Sequence, residues 1–153
     1  MCAESPELSR EDIQRMVTEK IDEYATLNFL ERFSIFMGKA QLLEFGLKRV
    51  LSRDYEIPIE EMERWTLGRT KNELERVGIR PDFIAFLDGV VKHRNYIAHE
   101  LLLDNAITRS IANFSPRKLE GDLFRGTYEL EQIIVLYDWC EEHNGWVERA
   151  EGT

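Results

Sequence analysis

Between Phe33 and Leu51, apolar residues recur every three or four positions: Phe33, Phe36, Met37, Ala40, Leu43, Leu47 and Leu51. Residues three and four apart share one face of an α-helix, so this spacing predicts a long helix with a continuous buried stripe. The same spacing recurs in Ile13, Met16, Val17, Ile21 and Tyr24, then in Phe83, Leu87, Val90, Ile97 and Leu101, and again in Leu130, Ile133, Ile134, Tyr137 and Cys140. No stretch alternates apolar and polar residues between turn signals, so no strand is expected. The chain reads as all-α.

Local signals set the expected boundaries. Ser9 followed by Asp12 resembles a capping pair and predicts a first helix over about 10–26, with the second over about 28–52. Gly38 and Gly46 fall inside the second helix, where glycine weakens the helix but permits close approach of a neighbour. Pro58 breaks the pattern. "TLGRTKNELERVG" predicts a short third helix ending near Gly78, a glycine suited to the left-handed residue that follows a helix. Pro81 suits the first turn of a fourth helix running to about residue 103. Asn105, Asn113, Ser115, Pro116, Gly121 and Gly126 predict a loop over 104–126, with Thr127 placed to cap the last helix. "NGWVERAEGT" reads as a frayed tail, and Trp65, Trp139 and Trp146 as packing residues. Together these predict one domain over residues 1–153, with its core over about 10–143: a bundle of four main helices plus a short connecting helix.

Charge narrows the function classes. The formal net charge of -9 argues against a protein that coats nucleic acid, because phosphate binding needs positive potential. A small basic cleft on an acidic body remains open. Two distant cysteines, Cys2 and Cys140, and three histidines offer no metal-ligand spacing, so neither metal nor cofactor is expected. The polar, acidic start of the chain does not read as an export signal, and no apolar run approaches the roughly 18 residues of a membrane span. The expectation is a cytoplasmic protein with no membrane contact and with reduced thiols.

Two charges fall on apolar faces. With successive residues turned by about 100°, Arg94 lies about 20° from Phe83, inside the stripe of the fourth helix. Glu44 lies inside the stripe of the second. Buried charges are costly unless paired, so Glu44 and Arg94 are expected to face each other or share a cleft; the bland alternative is that both reach out to water. On the opposite face of the fourth helix, Asp88, Lys92, Asn95 and His99 form a polar stripe, which by itself reads as a solvated face. Asn95 and His99 are four apart, so Asn95 is placed to orient the imidazole. Arg94 and His99 are five apart, or about 140° around an ideal helix. A bend, a curled Arg side chain or a second subunit is needed to bring them to one point.

The segment Arg94, Asn95, Tyr96, Ile97, Ala98, His99 resembles the signature of HEPN domains: an Arg, a polar residue that is often Asn, and a His with four residues between Arg and His. "FMGKAQLLEFGLKRVL", with its internal Glu44, looks like the long second helix of that family, and "TLGRTKNEL" looks like its short connecting helix. The resemblance covers about residues 28–103 and implies an HEPN-like bundle. It also implies a homodimer with the motif helices at the interface, and RNA as substrate of a metal-independent endoribonuclease, often a toxin or phage-defence effector with an antitoxin or other partner protein. Other members of the family are non-catalytic and bind a nucleotide, RNA or a partner protein, and that is the alternative reading. Leu102 stands where some HEPN toxins carry a Tyr that is modified, so a switch of that kind is not expected here.

The chemistry suits the residue types. Metal-free RNA cleavage needs a base for the 2′-hydroxyl, an acid for the departing 5′-oxygen and positive charge at phosphorus. His99 can transfer protons near neutral pH, and Arg94 can fork two N–H bonds to phosphate oxygens. Asn95 would hold the imidazole, Lys92 and His93 would add positive charge for substrate binding, and Glu44 would support Arg94.

Overall fold

The computed structural model describes residues 8–101 and 116–148. Ser9 accepts a bond from the Asp12 amide at 3.0 Å and opens α1, Arg10–Glu23. Asn28 and Glu31 form a reciprocal capping box that opens α2, Phe29–Tyr55, and Glu56 ends it in the left-handed conformation (φ 59°). Pro58 starts a turn of helix, α3, Ile59–Met62, where the sequence showed only a break. Thr66 caps α4, Leu67–Arg76, and Gly78 follows at φ 91°, as expected of a glycine that closes a helix. Pro81 sits in the first turn of α5, Pro81–Tyr96, whose chain continues as a π-helical segment, Ile97–Leu101. The last helix, α6, spans Pro116–His143. No strand occurs among the described residues.

α6 corrects the expected loop over 104–126. Residues 104–115 lie outside the described residues, but the helix runs from Pro116 through Gly121, Gly126 and Thr127. The glycines misled because they carry turn propensity, whereas Gly126 answers to packing. A Cβ on Gly126 would stand 2.6 Å from Ile97 Cδ1 and 3.3 Å from Phe36 Cε2, so α6 passes close to α2 and to the π segment only without a side chain there. Gly46 does the same for α2, since its Cβ would meet the Tyr137 hydroxyl at 2.7 Å. We expect Gly126→Ala to destabilise the fold by about 1–2 kcal/mol in urea unfolding: overpacking of a filled core costs about 1–3 kcal/mol and outweighs alanine's helix advantage of just under about 1 kcal/mol.

α6 packs against α1, α2 and α5, and α4 bridges α2 and α5. The core they share contains Phe36, Leu47, Leu51, Leu74, Phe83, Leu87, Ile97, Leu123 and Leu130, all fully buried. The stripe of α6 thus reaches upstream to Leu123, further than its apolar run suggests. The end of the described chain is also better held than a frayed tail. Trp146 is buried against the rings of Phe83 (5.1 Å) and Tyr137 (5.3 Å), its indole N–H donates to Glu141 at 2.8 Å, and its carbonyl accepts from the Arg80 amide at 2.9 Å. Trp139 stacks on His143 at 4.9 Å, with the Arg80 guanidinium over its ring, and Trp65 lies under Arg69. All three tryptophans therefore make packing contacts, as expected.

Ion pairs clasp this end of the bundle. Arg80 binds both oxygens of Asp82 (2.6 and 2.7 Å) and holds its carboxyl below the usual range. Arg53 binds both oxygens of Glu141 at 2.9 Å and, with the Trp146 indole, does the same there. A carboxyl depressed by folding contributes stability above its unfolded pKa and loses it as pH falls through the folded value. We expect the urea midpoint to hold steady from about pH 7 to 5 and to fall below about pH 4, where these carboxylates take up protons.

Candidate functional site

The motif lies where α5 changes its winding. Arg94 is half-buried, beyond Leu87 and Val90 on the core-facing stripe, and Asn95 and His99 are exposed. A π segment bonds each amide five residues back instead of four, so it turns less per residue than an α-helix. His99 lies within it. The wider turn narrows the offset of about 140° between Arg94 and His99 without closing it. Such local widening is frequent at functional sites. The fully buried Ile97 anchors the segment against Phe36 and Gly126. Tyr96 ties it to α6 through a 3.1 Å bond from its hydroxyl to Asp122.

The side-chain partners differ from expectation in three respects. Glu44 does not pair with Arg94: its carboxylate lies 3.3 Å from Lys48, one turn along α2, and Lys48 also donates to the Trp65 carbonyl at 2.9 Å. Glu44 therefore helps hold Lys48 against the turn between α3 and α4, and its i,i+4 spacing to Lys48 was the signal for that role. Asn95 does not orient His99. Its Oδ1 faces Arg94 Nη1 at 3.5 Å, a long and weak contact. Lys92 and His93 each have a carboxylate partner. Lys92 reaches Asp88 at 2.9 Å, and Asp88 also binds Lys71 at 2.9 Å, so its carboxyl is held low by Lys71 and then Lys92. The His93 ring approaches Glu129 on α6 at 2.6 Å.

What remains is a short constellation. Arg94 has no ion-pair partner and His99 no hydrogen-bond partner among the described residues. A half-buried guanidinium without a carboxylate favours an anion, and an exposed imidazole with both nitrogens open can give or take a proton. One copy of the chain supplies one of each. Among the described residues, no group of three His, Cys, Asp or Glu side chains is arranged to hold a metal ion.

Two other features were not foreseen. Glu131 is buried in α6 and binds Lys39 of α2 (2.6 Å) and Tyr24 of α1 (2.8 Å), while Lys39 also reaches Tyr24. Its signal was available, since Glu131 directly follows Leu130 at the edge of the α6 stripe. A groove of about 580 Å³ lies between α1, the start of α5 and α6, lined by Ile13, Phe83, Phe86, Tyr128, Leu136 and Trp139. Phe86, its lining residue nearest the motif along α5, stands about 12 Å from Arg94 at the helical rise, and no residue of the motif lines the groove. Cys140 borders it as a buried thiol whose pKa burial pushes up to about 11, which makes it an inert neutral group at pH 7.

No protein-family model, curated protein or solved structure matches the chain. Among the described residues, no helix is long and apolar enough to cross a membrane.

Proposed function

We propose that this chain is a metal-independent endoribonuclease of HEPN type, acting as a homodimer in which Arg94 and His99 of both copies serve one RNA strand. The observation that carries this reading is the pairing of a half-buried Arg94 with an exposed His99 at a change of helical winding, the first without an ion pair and the second without a hydrogen bond among the described residues. In the reaction, one imidazole takes the proton of a ribose 2′-hydroxyl. The 2′-oxygen attacks phosphorus, and the P–O5′ bond breaks. The other imidazolium gives its proton to the departing 5′-oxygen, leaving a 2′,3′-cyclic phosphate and a free 5′-hydroxyl. Arg94 stabilises the charge that builds on the phosphorane oxygens. A role as a toxin or defence effector, held in check by an antitoxin or another partner protein, belongs to this reading.

The purified protein is expected to cleave single-stranded RNA equally well with and without EDTA. Loss of cleavage on chelation would point to metal chemistry and another site. A second reading, a non-catalytic HEPN-like dimer that binds a nucleotide, RNA or a partner protein, is favoured by one observation. Lys92 and His93 are engaged by Asp88 and Glu129, which leaves Arg94 with little cationic support. RNA binding without any cyclic-phosphate product would select this second reading.

A further inference from the structure

The groove between α1, the start of α5 and α6 plays no part in the chemistry proposed above. Its walls are apolar residues that the three helices leave uncovered: Ile13, Leu136 and Trp139 are half-buried, and Phe86 is 40% exposed. Its volume of about 580 Å³ is that of a small-molecule site. The helix directions give it two unlike ends. α5 runs antiparallel to α6, since His93 meets Glu129 and the Arg80 amide bonds the Trp146 carbonyl beyond the end of α6. α1 does the same, since Tyr24 at its far end bonds Glu131 while Arg10 in its first turn lines the groove with Trp139 and Cys140. Arg10 and Asp82 therefore lie toward the Trp139 end, and Gln132 and Tyr128 toward the other.

The charges at the Trp139 end do not cancel. Arg80 and Asp82 neutralise each other through two bonds (2.6 and 2.7 Å), and the Asp82 carboxylate also accepts from the Phe83 amide at 2.8 Å. Cys140 is neutral at pH 7. Arg10 is left over, its side chain without an ion pair or a hydrogen bond among the described residues. Gln14, one turn along the same face of α1, has a side-chain amide that is likewise unengaged. Among the described residues, no unpaired carboxylate lines the groove. A chain of net charge -9 thus carries an apolar trough with one unpaired cation and one amide donor at its end.

A ligand that answers both parts has one negative charge on an apolar tail. An ionised carboxylate only accepts hydrogen bonds, so it matches a guanidinium and an amide N–H. A phosphate monoester carries about two charges at pH 7 and would meet only one unpaired cation. We propose that the groove binds a free straight-chain carboxylate, its head at Arg10 and Gln14 and its tail along Ile13, Phe86 and Leu136. Gln132 lies about 10 Å along α6 from Trp139, so the apolar stretch fits a chain of about eight to ten carbons. The site is separate from Arg94 and His99 and does not rest on ribonuclease activity, so either reading can fail without the other.

Titration of the purified chain with octanoate at pH 7, to about 5 mM and followed by backbone amide NMR shifts, tests the proposal. Shifts are expected at Ile13, Gln14, Phe86 and Leu136 and not at the motif. Affinity should rise about two- to fourfold for each methylene added from hexanoate to decanoate, as each is buried in turn, and then level off. Arg10→Glu is expected to weaken octanoate about three- to tenfold while leaving 1-octanol unchanged. Phe86→Gln, at an exposed position, should weaken both ligands with unchanged helical circular dichroism. Octanol binding as tightly as octanoate overturns the proposal, as does an Arg10→Glu variant of undiminished octanoate affinity or a groove without shifts. Groove shifts that arise on concentrating the chain alone, from about 20 to 500 µM, would assign the groove to a second copy and overturn it too.

Discussion

Replacing His99 with alanine is expected to lower RNA cleavage by about 10²–10⁴-fold, the range for losing a positioned proton-transfer group. Replacing Arg94 with alanine should cost about 10²–10³-fold, as for other preorganised groups that stabilise transition-state charge. Neither loss should come from unfolding. His99 is exposed and without a hydrogen-bond partner among the described residues, so its removal should leave stability within about 0.5 kcal/mol in urea unfolding. Arg94 is half-buried, and its alanine variant should lose only the packing of its aliphatic stem. Arg94→Lys separates charge from geometry. If the guanidinium forks two bonds to phosphate, lysine should recover a minor part of the activity. Formation of 2′,3′-cyclic phosphate on a short RNA is the measurement. Full activity in either purified alanine variant would remove the assignment. In cells, the wild type is expected to arrest growth and the His99→Ala variant to grow normally.

The largest stability effect should come from Lys39→Met. Glu131 has a side chain only 4% exposed, and its carboxylate is met by Lys39 at 2.6 Å and by the Tyr24 hydroxyl at 2.8 Å. Burial pulls the Lys39 pKa down, but its bonds to Glu131 and Tyr24 overcome this and leave it above the ordinary value. Methionine fills the same space without the charge, so the carboxylate would keep one hydroxyl and no cation. Removing one partner of a buried ion pair costs about 3–5 kcal/mol, because the other charge is left uncompensated. Urea unfolding should show that loss. The double variant Lys39→Met with Glu131→Leu should recover most of it, since an apolar pair in the same place has no charge to desolvate. If the single variant loses less than about 1 kcal/mol, water reaches Glu131 and the network contributes little.

Much of this fold was legible because the apolar residues repeat at helical spacing. α1, α2, α4 and α5 follow their stripes, and Gly78 and Pro81 mark ends that backbone sterics impose. α6 was missed upstream of Thr127 because a glycine reads as a turn unless its neighbour is known. Gly126 is explained by Ile97 and Phe36, both distant in the chain. The site was legible in part. Arg94 was conspicuous as a charge on an apolar face, and the awkward spacing to His99 already raised the question that the π segment addresses. Its pairing with Glu44 was not to be had from a helix wheel, because Lys48 competes for the same carboxylate from one turn away. The fates of Lys92 and His93 rest on Asp88, Lys71 and Glu129, the last two on other helices. A one-dimensional pattern names the charges on a face but not the carboxylates that come to meet them.

The order of the helices has a consequence for synthesis. α6 packs on α1, α2 and α5, and the bond from Tyr24 to Glu131 joins residues 107 positions apart. α1 packs chiefly on α6, and before α6 is made the segment holding His99 lacks the Gly126 against which it rests. A chain made only as far as the π segment therefore carries the motif without its support. If the site cleaves RNA, the arrangement keeps the growing chain harmless to the message and the ribosome that are still making it.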